Sequence, residues 1–402
     1  MNPEIRIASI GNVDSAKTTT ISVIANNTLD NGRGKARKQI IKHPHEESTG
    51  RTSSITQHYI ETNDKTFGFI DLAGHEKYLK TTLTGLNGCY IDYAMVTIGA
   101  DRGLIGMTKE HLTLAIVLKI PIFIVITKMD IATEHKLVNI KERLRKIFNH
   151  PLAGQKELLF INNDNSNSTT SDIFFNSNKI PVFEVSNVTG FNIDILRKFI
   201  YGFKKYKEIG NSENKNPLFK IDDTFKLDGI GIILSGIVQE GVIHCNQKMN
   251  IGPFNGQYIE VIIKSIHDNF KRNIDSLSSG HCGCLNIKVI NQKKNTLKRS
   301  KIKRGHILIG DPYSIRRFDA DVTILHHPTT IKVDYEPVIH CGSVRQTARI
   351  KRMDKELARA GDKANVTFEF KFKPEFIQLN SDIVFREGNT KGIGRITKIH
   401  GD

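Results

Sequence analysis

The chain has 402 residues, of which 39% are hydrophobic, and this length exceeds what one hydrophobic core usually supports. We therefore expect more than one domain. The composition excludes a disordered or collagen-like chain, and no apolar run has the roughly 18 residues that a membrane-spanning helix requires. The 58 Lys and Arg residues outnumber the 42 Asp and Glu residues, for a formal net charge of +16. Such an excess favours polyanionic partners, of which RNA is the abundant one in cytosol.

The amino-terminal sequence lacks a secretory signal pattern, because its first apolar stretch, IRIASI, runs directly into a glycine-containing loop. Five cysteines are an odd number for a disulfide framework and fit reduced thiols. We therefore expect a cytoplasmic protein without disulfide bonds or a membrane segment, and we take it to be a monomer.

Short β-branched runs alternate with helical patterns from Ile5 to about Tyr206. This alternation is typical of a mostly parallel sheet covered by helices, so residues 1–206 are predicted to form one α/β domain. An Asn- and Ser-rich stretch, Ile161–Ile180, predicts a surface loop within it. The expected strands are IRIASI, FGFIDL, YAMVTIGA, IPIFIVIT and IPVFEVS, and the expected helices are TTTISVIANN, KEHLTLAIVLK, HKLVNIKERLRKIF and NIDILRKFIYGFKKY.

The second half of the chain has a different pattern. A polar, turn-rich segment at residues 207–217, KEIGNSENKNP, is the expected linker. After it, short strand patterns with glycine turns replace the helical ones, as in GIGIILSGIVQEGVI. We predict two small β-barrels, at residues 218–313 and 314–402.

The segment GNVDSAKTTT lies between the first expected strand and the first expected helix. Its spacing matches the phosphate-binding pattern GxxxxGK[ST], except that Ala16 occupies the position of the second glycine. In such a loop the backbone amides face phosphate oxygens, Lys17 contacts the β- and γ-phosphates and Thr18 binds Mg²⁺. Alone, the match does not exclude an ordinary strand-turn-helix. The residues assigned to phosphate binding are Gly11, Asn12, Val13, Asp14, Ser15, Ala16, Lys17, Thr18 and Thr19.

Three further motifs follow at the ends of expected strands, where ligands bind in open α/β sheets. In DLAGH, Asp71 would hold the metal through water and the Gly74 amide would sense the γ-phosphate. In TKMD, Asp130 can accept hydrogen bonds from guanine N1 and N2, which adenine lacks, so GTP or GDP is the expected ligand with Mg²⁺. In SNVTG, backbone amides can reach the guanine O6. The residues assigned to the guanine site are Thr127, Lys128, Asp130, Ser186, Asn187 and Val188.

The stretches GNVDSAKTTT, DLAGHEKY, IGADRGLIGMTKEHL and TKMD resemble the translation-factor GTPases, the group of elongation factor Tu and elongation factor 1-alpha. The stretches LDNGRGKARKQIIKHPHE, TGRTSS, SNVTG, LHHPTTI and HCGSVRQTA are similar to the GTP-binding protein 1 and 2 family. The resemblance covers most of the chain. It implies a P-loop GTPase domain followed by two β-barrels that engage tRNA, the ribosome or another RNA machine.

The resemblance also implies roles for single residues. His75 matches the residue that positions the attacking water, the alternative being a mere neighbour of the metal loop. Asp14 matches a position near the bridge between the β- and γ-phosphates, although a turn-stabilising aspartate remains open. Ser54 falls on the metal-binding threonine of the first switch, with Thr52 as a competitor. Thr127 replaces the usual asparagine, as the GTP-binding protein 1 and 2 pattern leads one to expect.

Two substitutions in the motifs bear on affinity. Ala16 would cost about 1–2 kcal/mol if its backbone adopts a positive φ. Thr127 would lose one net hydrogen bond, on the order of 1 kcal/mol. We therefore predict a working GTP site, and whether the two substitutions together make it bind more weakly and exchange faster than its relatives stays an open question.

The leading hypothesis is a translational-type GTPase that hydrolyses GTP to GDP. The alternatives are a GTP-dependent adaptor in RNA surveillance or decay with little turnover, and a nucleotide-free scaffold, which the retained motifs disfavour. A basic run at 264–304 and the pair Arg345 and Arg349 are candidate RNA contacts. A solvated basic loop for the run, and pairing with carboxylates for the two arginines, remain open.

Overall fold

The computed structural model describes residues 2–40, 56–75, 86, 90–161, 178–206, 215–290, 297–387 and 390–401. Its internal contacts divide the chain into two compact units, Met1–Lys207 and Glu208–Asp402. The Asn- and Ser-rich stretch that the sequence assigns to a surface loop lies mostly outside the described residues, as do Thr52 and Ser54.

The first unit contains a seven-stranded sheet in the order β2-β3-β1-β4-β5-β7-β6. The edge strand β2 is antiparallel to β3, and the other pairings are parallel. The mostly parallel sheet that the sequence predicts is thereby confirmed. The strands are β1 (Glu4–Gly11), β2 (Thr56–Glu61), β3 (Thr66–Asp71), β4 (Tyr93–Gly99), β5 (Ile122–Thr127), β6 (Glu157–Ile161) and β7 (Lys179–Glu184), and the helices are α1 (Lys17–Asn26), α2 (Lys35–Lys38), α3 (Gly106–Val117), α4 (Glu134–Phe148) and α5 (Ile193–Tyr201).

Helices cover both faces of this sheet, which explains its continuous apolar strands. Alternate residues of β5 point to opposite faces: Ile124 packs in the core shared with α3 and α4, whereas Phe123 packs in the core shared with α1 and α5. Because the parallel strands run in one direction, the loops that follow β1, β3, β4, β5 and β7 share one edge of the sheet. All four nucleotide motifs lie in these loops.

The structure corrects some element boundaries. The last helix of the first unit was expected to reach Tyr206 but ends at Tyr201. The reason is tertiary, since Phe203 stacks its ring on Tyr93, with ring centroids 4.0 Å apart. The strands β2 and β6 and the short helix α2 carry periodic patterns too short to be found from sequence.

The second unit consists of two antiparallel β-barrels, as the fold class predicted. In the first, β11, β16, β8, β9, β15 and β12 are neighbours in that order, and a further β11–β12 pairing closes the ring. In the second, the closed order is β17-β20-β19-β18-β21-β22. The strands are β8 (Leu218–Leu227), β9 (Gly231–Glu240), β10 (Val242–His244), β11 (Lys248–Phe254), β12 (Gln257–Asp268), β13 (Asn273–Ile274), β14 (Ser276–Ser278), β15 (Cys282–Val289), β16 (Ile307–Ile309), β17 (Arg317–His326), β18 (Val338–Cys341), β19 (Val344–Met353), β20 (Lys363–Phe370), β21 (Asp382–Glu387) and β22 (Thr390–His400).

Some arginines of the second unit already have hydrogen-bond partners within that unit. Arg349 places its Nη2 2.7 Å from Glu336 Oε1, so the pairing alternative describes this arginine. In the basic run, Arg299 and Arg304 each donate from Nε to backbone carbonyls of β8 at 2.9 Å. Within the described part of the chain, no helix is both long and apolar enough to cross a membrane.

A candidate guanine nucleotide site

The phosphate loop begins where β1 ends, at Gly11. This residue has φ 147°, and a Cβ there would lie only 2.2 Å from the Thr97 carbonyl oxygen of the neighbouring strand. Only glycine fits so close an approach. The Gly11 amide donates to Nδ1 of the buried His111 at 3.3 Å, so a helix on one face of the sheet fixes the start of the loop.

Lys17 is held inside the loop. Its side chain is buried, and its Nζ donates to the Asn12 carbonyl oxygen at 2.7 Å. Burial lowers the pKa of Lys17, against the opposing effect of the carboxylates of Asp71 and Asp14. A buried ammonium group that is hydrogen-bonded to a neutral carbonyl oxygen can also receive phosphate oxygens.

Ala16 adopts the left-handed conformation, with φ 63° and ψ 26°, immediately before α1. Its carbonyl accepts from the Thr20 amide at 2.8 Å and so begins the helix ladder. The loop thus requires at this position the conformation that glycine adopts without cost and that alanine adopts under strain.

The expected metal ligands meet across the chain. Thr18 Oγ1 donates to Oδ2 of the buried Asp71 at 2.5 Å. Hydroxyl and carboxylate oxygens are the hard donors that Mg²⁺ prefers, so this pair fits the ion. Gly74 packs on the phosphate loop, since a Cβ there would lie 2.6 Å from the Asn12 carbonyl carbon. His75 follows with an exposed side chain.

The guanine motifs form a second cluster at the same edge. Asp130 Oδ1 accepts from Ser186 Oγ at 2.6 Å, which aims the carboxylate. Ser186 Oγ accepts in turn from the amides of Val188 and Thr189 at 3.2 and 3.1 Å. The contact expected between these amides and guanine O6 stays a prediction. Asn187 donates from Nδ2 to Thr20 Oγ1 of α1 at 2.9 Å.

Thr127 performs the bridging task expected of an asparagine. Its Oγ1 donates to the Ser15 carbonyl oxygen at 3.0 Å and lies 3.3 Å from the carbonyl oxygen of Ile98. The hydroxyl therefore ties the guanine motif to the phosphate loop and to β4. Replacement of the asparagine by threonine keeps the connection between the two loops.

Sequence reasoning missed the turn that joins β4 to α3. Lys128 Nζ donates to Asp101 Oδ2 at 2.8 Å, and Arg102 Nη2 lies 3.1 Å from Asp14 Oδ2. The only available signal was the position of ADRG within a stretch that resembles translation factors, and no role followed from it.

A second missed feature is the segment after α1. The Asp30 amide donates to the Asn187 carbonyl oxygen at 2.9 Å. Its carboxylate accepts from the amides of Gly32, Gly34 and Ala36 at 2.8–3.2 Å. The glycine-rich segment is thereby fixed to the guanine motif.

Comparison with known proteins agrees with this geometry. Residues 2–223 match the family described as the elongation factor Tu GTP binding domain. GTP-binding protein 1 of Xenopus laevis is 36% identical across 98% of this chain and 63% of its own length. GTP-binding protein 2 of Mus musculus is 30% identical across 98% of this chain and 69% of its own length.

Solved structures share the fold at low identity. A bacterial selenocysteine-specific elongation factor has a TM-score of 0.74 and 20% identity, over 98% of this chain and 58% of that one. The Ski7 GTPase-like domain of S. cerevisiae, bound to GTP, has a TM-score of 0.78 and 14% identity, over 98% of both chains. By its matched domain and its relatives, the chain belongs to the translation-factor GTPase superfamily and is similar to GTP-binding proteins 1 and 2.

Proposed function

We propose that the chain binds GTP with Mg²⁺, hydrolyses it to GDP, and uses its barrels to engage tRNA, the ribosome or another RNA machine in the cytoplasm. The observation that carries the proposal is the convergence of the four motifs at one edge of the sheet. Lys17 and the loop amides hold the phosphates, and Asp130 selects guanine. Thr18 would bind Mg²⁺ directly and Asp71 through water, and Ser54 or Thr52 of the switch would add a further ligand.

In the proposed reaction, His75 positions the attacking water, the role implied by its match to the histidine that follows the same glycine in translation-factor GTPases. Catalysis of phosphoryl transfer requires positioning and charge stabilisation more than covalent help. We assign residues 1–206 to the GTPase domain, 207–217 to the linker, and 218–313 and 314–402 to the two barrels, in a monomeric protein. The switch would be residues 29–54, which begin beside the anchored Asp30 and would respond to the γ-phosphate and its metal.

A second candidate is a GTP-dependent adaptor in RNA surveillance or decay with little turnover of its own. This candidate uses the same nucleotide site, so its rate of GTP hydrolysis separates it from the first. In this candidate the nucleotide controls binding, and hydrolysis is incidental.

The first experiment measures binding of fluorescent GDP and GTP with and without Mg²⁺. Saturable binding that Mg²⁺ strengthens is expected, and no binding at micromolar concentrations refutes both candidates. The second measures GTP hydrolysis with and without purified ribosomes. Stimulation supports the translational role, whereas tight GTP binding without stimulation supports the adaptor.

The catalytic assignment is tested by His75→Ala, with His150→Ala as a control at another exposed histidine of the same unit. We expect a large loss of ribosome-stimulated hydrolysis in the first variant and unchanged nucleotide affinity in both. Unchanged hydrolysis in His75→Ala would show that the assignment is wrong.

A further inference from the structure

Arg102 lies beside the phosphate loop without a role in the motifs. It belongs to the turn at residues 99–103, in which the amides of Arg102 and Gly103 donate to the Gly99 carbonyl oxygen at 3.2 and 2.8 Å. Its Nη2 lies 3.1 Å from Asp14 Oδ2, and the two side chains are 54% and 40% exposed. An ion pair this exposed contributes little to the free energy of unfolding. Stability therefore does not explain why Arg102 lies beside the phosphate loop.

The turn is anchored on both halves of the nucleotide site. Asp101 binds Lys128 of the guanine motif, and its carbonyl oxygen also accepts from Lys136 Nζ at 2.7 Å. On the other side the turn approaches the phosphate loop, since a Cβ at Gly99 would lie 3.7 Å from the Asp14 carbonyl oxygen. Arg102 therefore extends from a fixed base toward the loop.

Arg102 offsets the negative charge that Asp14 adds to the phosphate loop. Asp14 stands in the middle of the phosphate loop, with φ 61°, and its carboxylate would repel a polyphosphate. The guanidinium of Arg102 neutralises that carboxylate. It carries five N–H donors in a planar fork suited to phosphate oxygens, and the Asp14 contact leaves donors for a second anion.

We propose that Arg102 is a catalytic arginine supplied by the chain itself, with Asp14 holding it at the phosphate loop. The inference rests on the proposed GTP hydrolysis. Water forms a bond to the γ-phosphorus while the bond from that phosphorus to the bridging oxygen breaks, and GDP leaves with the electron pair. The water proton ends on the released phosphate. Arg102 donates hydrogen bonds to the oxygens on which negative charge develops and keeps its own protons.

The test is single-turnover hydrolysis of prebound GTP by the full chain with Mg²⁺ and without ribosomes. We expect Arg102→Ala to lower the rate constant by on the order of 100-fold, since arginines of this kind contribute at least that much. Arg102→Lys should recover only part of the rate, because a point charge lacks the fork. Arg143→Ala is the matched control, as this arginine binds the Leu104 carbonyl oxygen near the same turn, and its rate should stay unchanged.

A second readout separates catalysis from structure. GDP with aluminium fluoride mimics the transition state, so Arg102→Ala should lose this complex while its GDP affinity stays within about threefold of wild type. Unchanged hydrolysis, or equal loss of GDP and transition-state binding, overturns the proposal. If the wild type does not hydrolyse GTP even when ribosomes are added, the proposed hydrolysis fails. The aluminium fluoride complex still decides on Arg102: loss of that complex only in Arg102→Ala supports its role, and equal formation in both proteins refutes it.

Discussion

Replacement of Ala16 by glycine tests whether the phosphate loop is strained. Ala16 has φ 63° and ψ 26°, a left-handed conformation that costs an L-residue with a side chain about 1–2 kcal/mol of strain. Glycine removes that cost but loses about 0.4–1 kcal/mol through the greater freedom of the unfolded chain. The difference predicts a gain of about 0.8 kcal/mol in the free energy of unfolding of the first unit.

The same substitution bears on nucleotide affinity. Strain that is present with and without nucleotide raises the free energy of unfolding in Ala16→Gly and leaves GDP affinity unchanged. Strain that is present only in the nucleotide-bound loop would instead tighten GDP binding in Ala16→Gly, by up to about tenfold for 1.4 kcal/mol. Release of a fluorescent GDP analogue, followed after rapid mixing with excess GDP, measures the change.

Ala25→Gly is the matched control, because Ala25 lies in the last turn of α1 and the chemical change is identical. Glycine is a poorer helix former than alanine by up to about 1 kcal/mol, so this variant should be destabilised and should leave the GDP release rate unchanged. Calorimetric unfolding midpoints of the full chain, without nucleotide, compare the two variants. If Ala16→Gly lowers the midpoint as much as the control does, the argument from left-handed strain is refuted.

Three further predictions concern the packing around the loop. Thr127→Val removes the hydroxyl that donates to the Ser15 carbonyl oxygen, a hydrogen bond that contributes on the order of 1 kcal/mol, and should therefore speed GDP release about fivefold. An unchanged release rate would show that this hydrogen bond between the two loops is dispensable. Burial, followed by the charge of Lys17, lowers the pKa of His111 from 6.5 to about 4, so the protein should lose stability as pH falls from 6.5 toward 4, by at most about 3 kcal/mol. His111→Gln should flatten the midpoint against pH, and an equal slope in both proteins would contradict this origin. Gly74→Ala places a methyl group against the backbone of the phosphate loop and should lower both GTP affinity and the thermal midpoint, whereas wild-type values would show that the close packing is not kept.

The sequence by itself determined the sheet class and the four motifs, and it predicted the chemistry of their single residues. These features are encoded in contiguous residues: buried parallel strands are continuous apolar runs, and the phosphate loop fits within GNVDSAKTTT. The sequence also located the position of strain, because Ala16 occupies a site where the pattern requires glycine. It could not show that the backbone there is left-handed.

Only the tertiary structure decided which side chains meet. Thr18 reaches Asp71 across 53 positions, and Thr127 reaches Ser15 across 112. Arg102 meets Asp14 in the same way, from a turn to which no motif assigned a role. Such pairs depend on the order and the register of the strands. Hydrophobic periodicity specifies the face of the sheet on which a side chain lies, but it does not specify which residue of the next strand lies beside it.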